Sequence, residues 1–64
     1  MARKYHINES VRVELVNGIE VDGVIEDACW EHGRYVYSIW TEYGTRAKKW
    51  YYEHEINQED EEYE

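Results

Sequence analysis

The sequence has no proline and no phenylalanine, and only one cysteine and one methionine. A single thiol, Cys29, excludes an internal disulfide, and it fits a reducing compartment better than a secreted one. The N-terminal residues Met1 to His6 are not followed by an apolar run, so no signal peptide is expected there. No stretch approaches the roughly 20 apolar residues that a membrane-spanning helix needs. Positive charge is scarce too: seven Lys and Arg stand against fifteen Asp and Glu. The net charge is −8, and the carboxylates of 59–64 supply five of those charges, which leaves −3 for the rest of the chain. Such a balance repels nucleic acid and anionic membranes at long range. Arg46, Lys48 and Lys49 form the one basic cluster beyond Arg3 and Lys4, too little to favour nucleic-acid binding.

Within 64 residues there is room for one domain, with a compact core and a stability of only a few kcal/mol. Seven tyrosines and three tryptophans make up all the large aromatic side chains. Each carries a polar handle, which suits half-buried positions and wet binding surfaces.

The hydrophobic pattern has a period of two. Val11, Val13 and Leu15 alternate with Arg12 and Glu14, as in a half-buried strand. Asn17-Gly18 predicts a tight hairpin, because both residues tolerate positive φ. Ile19 and Val21 resume the alternation. After Gly23 the adjacent pair Val24-Ile25 predicts that the inward face slips by one residue, through a glycine-centred bulge or bend. Glu31-His32-Gly33-Arg34 reads as a turn, and Tyr35 to Thr41 as an aromatic, β-branched strand. Glu42-Tyr43-Gly44-Thr45 reads as another turn, Ala47 to Tyr52 as a fourth strand, and Glu53-His54-Glu55 as a short helical turn before Ile56, where a last short strand could begin. Tyr5 and Ile7 alternate within a polar arm over 1–9, either disordered or a short covering strand. From Asn57 onward no apolar period remains, so 58–64 is expected to be a disordered acidic tail. Several short strands joined by glycine turns point to a small all-β barrel.

Val11-x-Val13, Gly18, Gly23-Val24-Ile25, Gly33, Tyr35-x-Tyr37-x-Ile39 and Glu53-His54-Glu55-Ile56 together resemble the SH3-like barrel pattern. The pattern is most similar to small SH3-like proteins of Gram-positive bacteria and their phages, mostly of unassigned function. The resemblance covers roughly 10–57 and implies a five-stranded, strongly bent sheet used for binding. The Ala-Leu-Tyr-Asp-Tyr signature of proline-peptide-binding SH3 domains is missing, and the chain lacks the basic character of nucleic-acid-binding KOW-type barrels. The fold by itself does not decide the function.

The residues best placed for function are aromatic. Trp40, Trp50 and Tyr52 fall on one face of the third and fourth strands, with Trp30 and Tyr43 from flanking loops extending the patch. Trp and Tyr are common anchors at protein interfaces, so the expectation is a protein-binding module or a self-associating one. The bland alternative is that the arm covers this face, or that a cross-strand aromatic pair simply stabilises the sheet. A sharper version is a cage of Trp30, Tyr35, Tyr37, Trp40 and Tyr43 around a methylated lysine. A rival use of the charge is an acidic decoy that blocks a nucleic-acid-binding protein. Cys29-x-x-His32, with His6 and His54 elsewhere, lacks the second ligand pair of a structural zinc site, so Cys29 is expected to be a small buried residue and the histidines surface groups. Ser10 and Ser38 lack a nucleophile-elbow context, and no glycine-rich phosphate loop is present. The expectation is a cytoplasmic, non-enzymatic protein without a cofactor.

Overall fold

The computed structural model describes residues 3–58. Strands β1 (Ser10–Glu14), β2 (Glu20–Glu31) and β3 (Arg34–Thr41) form a meander. They are followed by a two-residue β4 (Tyr51–Tyr52), a 3-10 turn over Glu53–Glu55, and a two-residue β5 (Asn57–Gln58). The sheet order is β4-β3-β2-β1-β5, and every pairing is antiparallel. The expected all-β class is the one found, and the sheet curls into a half-barrel. No helix is long and apolar enough to cross a membrane.

The inner face holds Val11, Val13, Val21, Ile25, Tyr37, Ile39, Tyr51 and Ile56, all buried. Tyr5 joins them, although it precedes the first strand. The arm that carries it is neither of the two forms expected. It makes a turn, in which the Glu9 amide donates to the His6 carbonyl at 3.0 Å. Asn8, at φ 74°, then sits in a bulge where both Asn8 and Glu9 bond Ile25, at 2.7 and 3.0 Å. Asparagine tolerates this left-handed conformation. Ile7 is exposed, so its alternation with Tyr5 does not mark a strand.

Further expectations need correction. The slip in β2 does not occur at Gly23, which pairs with Thr41 in unbroken register; it falls between Ile25 and Asp27. Gly23 is required for a different reason, because a Cβ there would lie 2.6 Å from the Trp40 carbonyl oxygen and 2.8 Å from Ile39 Cγ2. At Asn17-Gly18 only Gly18 has positive φ. The Gly18 amide donates to the Leu15 carbonyl and the Leu15 amide to the Ile19 carbonyl, both at 2.8 Å, so three residues form the loop rather than two. The same arrangement recurs at Thr41–Thr45 around Gly44.

The fourth strand is also shorter than Ala47 to Tyr52. Trp40 bridges Arg46 and Tyr37 pairs with Tyr51. Between these fixed points β3 has two residues, 38 and 39, while the facing segment has four, 47–50. The surplus loops away from β3, and only Tyr51–Tyr52 keeps strand pairing. The last short strand expected from Ile56 begins one residue later, where Asn57 and Gln58 pair with Arg12 and Val11 as β5, so Gln58 belongs to the sheet rather than to the expected tail. The rest of the expected acidic tail, 59–64, lies outside the described residues.

Candidate protein-binding face

Alternation along β3 puts Tyr37 and Ile39 on the inner face and Val36, Ser38 and Trp40 on the outer one. Register then assembles the outer face across strands. Val36 stands between Cys29 of β2 and Tyr52 of β4, and Trp40 stands opposite Val24. The small residues Val36 and Ser38 are buried, whereas Trp40 and Tyr52 stay 41 and 40 % exposed. Trp50, just before β4, is 44 % exposed. Cys29, expected to be buried, is exposed, because register turns it to the Val36 side of the sheet rather than into the core.

Charged groups frame the rings. The Arg34 guanidinium lies 5.1 Å from the centre of the Tyr52 ring, a cation–π distance, and His54 stacks with the same ring at 5.8 Å with planes 9° apart. Glu26 accepts from the Ser38 hydroxyl at 3.4 Å and pairs with Arg46. Lys49 pairs with Glu55 at 2.8 Å. This bond and the Tyr52 amide hold the Glu55 carboxyl below its ordinary value, and Glu55 raises Lys49. Two of the three clustered cations are therefore already neutralised, which weakens the nucleic-acid reading further.

The five aromatic residues singled out in the sequence do not form one surface. Trp40 and Tyr52 lie on the outer face, Trp50 is exposed just before β4, and Tyr43 is exposed at the tip of the Thr41–Thr45 loop. Trp30 is not in a loop. It lies in β2 opposite Tyr35, on the inner-face side of the sheet, where the two rings meet edge-on at 4.8 Å. Tyr35 in turn approaches Tyr37 at 6.4 Å, and Tyr37 meets Tyr5 at 5.6 Å. This aromatic train runs from the surface into the core. The five-ring cage does not assemble, since Tyr37 is buried on one face and Trp40 projects from the other.

The arm and the 3-10 turn are joined by one carboxylate. Glu53 Oε2 accepts from the Tyr37 hydroxyl at 2.7 Å and from the Lys4 amide at 3.0 Å. These bonds hold the Glu53 carboxyl below its ordinary value. Burial and the same bond push the Tyr37 hydroxyl up to about 12. The arrangement is structural, because the oxygen atoms it uses are all engaged with the fold. Among the described residues no group of three His, Cys, Asp or Glu side chains is placed to hold a metal ion. The periodicity of the sequence offered no sign of Arg34 over Tyr52 or of Glu53 under Tyr37; both depend on cross-strand register. No protein-family model, curated protein or solved structure matches this chain.

Proposed function

We propose that the protein is a non-enzymatic binding module with an SH3-like barrel architecture, and that it engages another protein, or a second copy of itself, through Trp40, Trp50 and Tyr52. The single observation that carries this reading is the exposure of three large rings, Trp40 and Tyr52 on the β3–β4 face that also carries Val36, and Trp50 near Tyr52 in the chain. Burying such rings is a usual source of interface energy, about 2 kcal/mol or more at each anchor. The architecture draws support from the meander of β1 to β4, the 3-10 turn after β4 and the return of β5 to pair with β1. An exposed single thiol fits a cytoplasmic setting. The phage or prophage origin rests on the sequence resemblance alone.

Affinity capture with the wild type and with a Trp40→Ala, Trp50→Ala double variant tests the proposal. Both side chains are exposed, so the variant is expected to keep its circular dichroism spectrum and to lose the captured partner or the self-associated species. A chain lacking 59–64 is expected to behave like the wild type. Loss of capture on that truncation, with the double variant unaffected, would favour the acidic-decoy reading instead.

A further inference from the structure

At the end of the sheet where β1 turns into β2, the Leu15–Ile19 loop faces the segment that follows β3. Between them lies an open groove of about 200 Å³. Its apolar wall is formed by Leu15, Val16 and Ala47, with the Tyr43 ring at the rim. Val16 is 80 % exposed, an unusual position for a β-branched apolar side chain with no partner in the fold. The polar wall is formed by Arg46, Lys48 and Lys49, and no carboxylate lines the groove. That composition is notable in a chain with fifteen acidic residues to seven basic ones. Arg46 and Lys49 are drawn toward Glu26 and Glu55, while among the described residues Lys48 has no such partner.

We propose that this groove is a docking site for an acidic peptide segment of a partner protein, one that places an apolar side chain against Leu15, Val16 and Ala47 and a carboxylate on Lys48. The volume is below the roughly 300–1,000 Å³ of small-molecule pockets and suits a single side chain. Charge complementarity selects an anion. The aliphatic wall and the net charge of −8 disfavour a polyphosphate, which the rest of the molecule repels. A short peptide presents only a few carboxylates and meets that repulsion far less. The groove adjoins the outer aromatic face through Arg46 and Lys49, but none of Trp40, Trp50 and Tyr52 lines it.

The test is a titration of the isotope-labelled full chain, followed by amide shifts. The probes are short acetylated peptides Glu-Asp-X-Glu-Asp, with X as Leu, Ile, Tyr or Trp. Their Gln-Asn-X-Gln-Asn counterparts and a short oligothymidylate serve as controls. At least one acidic peptide is expected to saturate shifts at Val16, Tyr43 and Ala47, and its neutral counterpart to bind more weakly. Lys48→Glu is expected to weaken binding by about tenfold or more, with Lys48→Arg retaining it. Val16→Asp is also expected to weaken it. Both sites are exposed, and the variants' own spectra report whether the fold is intact. The Trp40→Ala, Trp50→Ala variant is expected to bind like the wild type, which separates this site from the outer face. The proposal is overturned if no acidic peptide exceeds its neutral control, if Lys48→Glu binds equally well, or if oligothymidylate saturates the same amides more tightly. It is also overturned if peptides bind only after 59–64 is deleted, since the chain's own tail would then be the occupant.

Discussion

The most deeply buried aromatic side chains, Tyr5, Tyr37 and Tyr51, are all tyrosines, and each hydroxyl has a partner. Tyr5 donates to the Ile56 carbonyl at 3.0 Å, Tyr51 to the Glu14 carbonyl at 2.9 Å, and Tyr37 to Glu53. A core without phenylalanine thus gains area and directional bonds from the same residues, at the risk that any lost partner leaves a buried polar group. Gly23 sets a second constraint at this scale. Its hydrogen side faces the Trp40 carbonyl, so Gly23→Ala must push β2 and β3 apart. The expected cost is about 1–3 kcal/mol, read as a lower urea midpoint. In a domain this small that is a large share of the total stability. Gly33→Ala meets open space and is strained only by its φ of 82°, so it is expected to cost about 1–2 kcal/mol and leave the β2–β3 register intact. An unchanged midpoint for Gly23→Ala would contradict the close approach of the two strands.

Among the elements, the 3-10 turn carries the pH response. Glu53 and Glu55 have folded values below their ordinary 4.5. A lowered carboxyl contributes stability that is fully present above its unfolded value and is lost as pH falls through the folded one. Stability is therefore expected to hold down to about pH 4.5 and to decline below it. Tyr37 acts at the other limit. Its ordinary value is 10.0 and its folded value about 12, so the unfolded chain releases the proton first and stability declines as pH rises across that interval. Tyr37→Phe removes the alkaline contribution of Tyr37 and the main cause of the lowered Glu53 value, while the Lys4 amide still bonds Glu53 and Lys49 still bonds Glu55. The substitution is expected to lower stability at neutral pH by about 1–3 kcal/mol and to make both limbs shallower in urea midpoints measured across pH. Tyr51, also raised by burial, leaves some alkaline slope. Limbs identical to the wild type would show that the Tyr37–Glu53 bond is not coupled to folding.

Much of this element structure was legible as periodicity. The alternation of Val11 and Val13 marked β1, and the aromatic run from Tyr35 marked β3. His32-Gly33 marked a hairpin in which both residues do adopt positive φ. The misses have a common physical origin in pairing between distant segments. The two surplus residues within 47–50 follow from the Trp40–Arg46 bridge and the Tyr37–Tyr51 pairing, which no local pattern encodes. Likewise, β5 is held by its pairing with β1 rather than by an apolar repeat of its own. Tyr5 is one ring in a polar arm, and its burial follows from Ile56 and Tyr37, more than thirty residues away in sequence. The aromatic candidates were identifiable by type, but their division between two faces required the register of β2 with β3.

For the whole molecule, that division gives the three tryptophans different roles. Trp40 stands on the outer face and Trp50 is exposed just before β4, while Trp30 lies on the inner-face side against Tyr35 and serves as an internal reference. All three are exposed in the free protein. Oxidative footprinting of tryptophan, read residue by residue by mass spectrometry in buffer and in lysate from the native host, uses this arrangement directly. If the outer face is the binding surface, lysate protects Trp40 and Trp50 while Trp30 reacts as it does in buffer. Protection of Trp30 with Trp40 and Trp50 still fully reactive would contradict it.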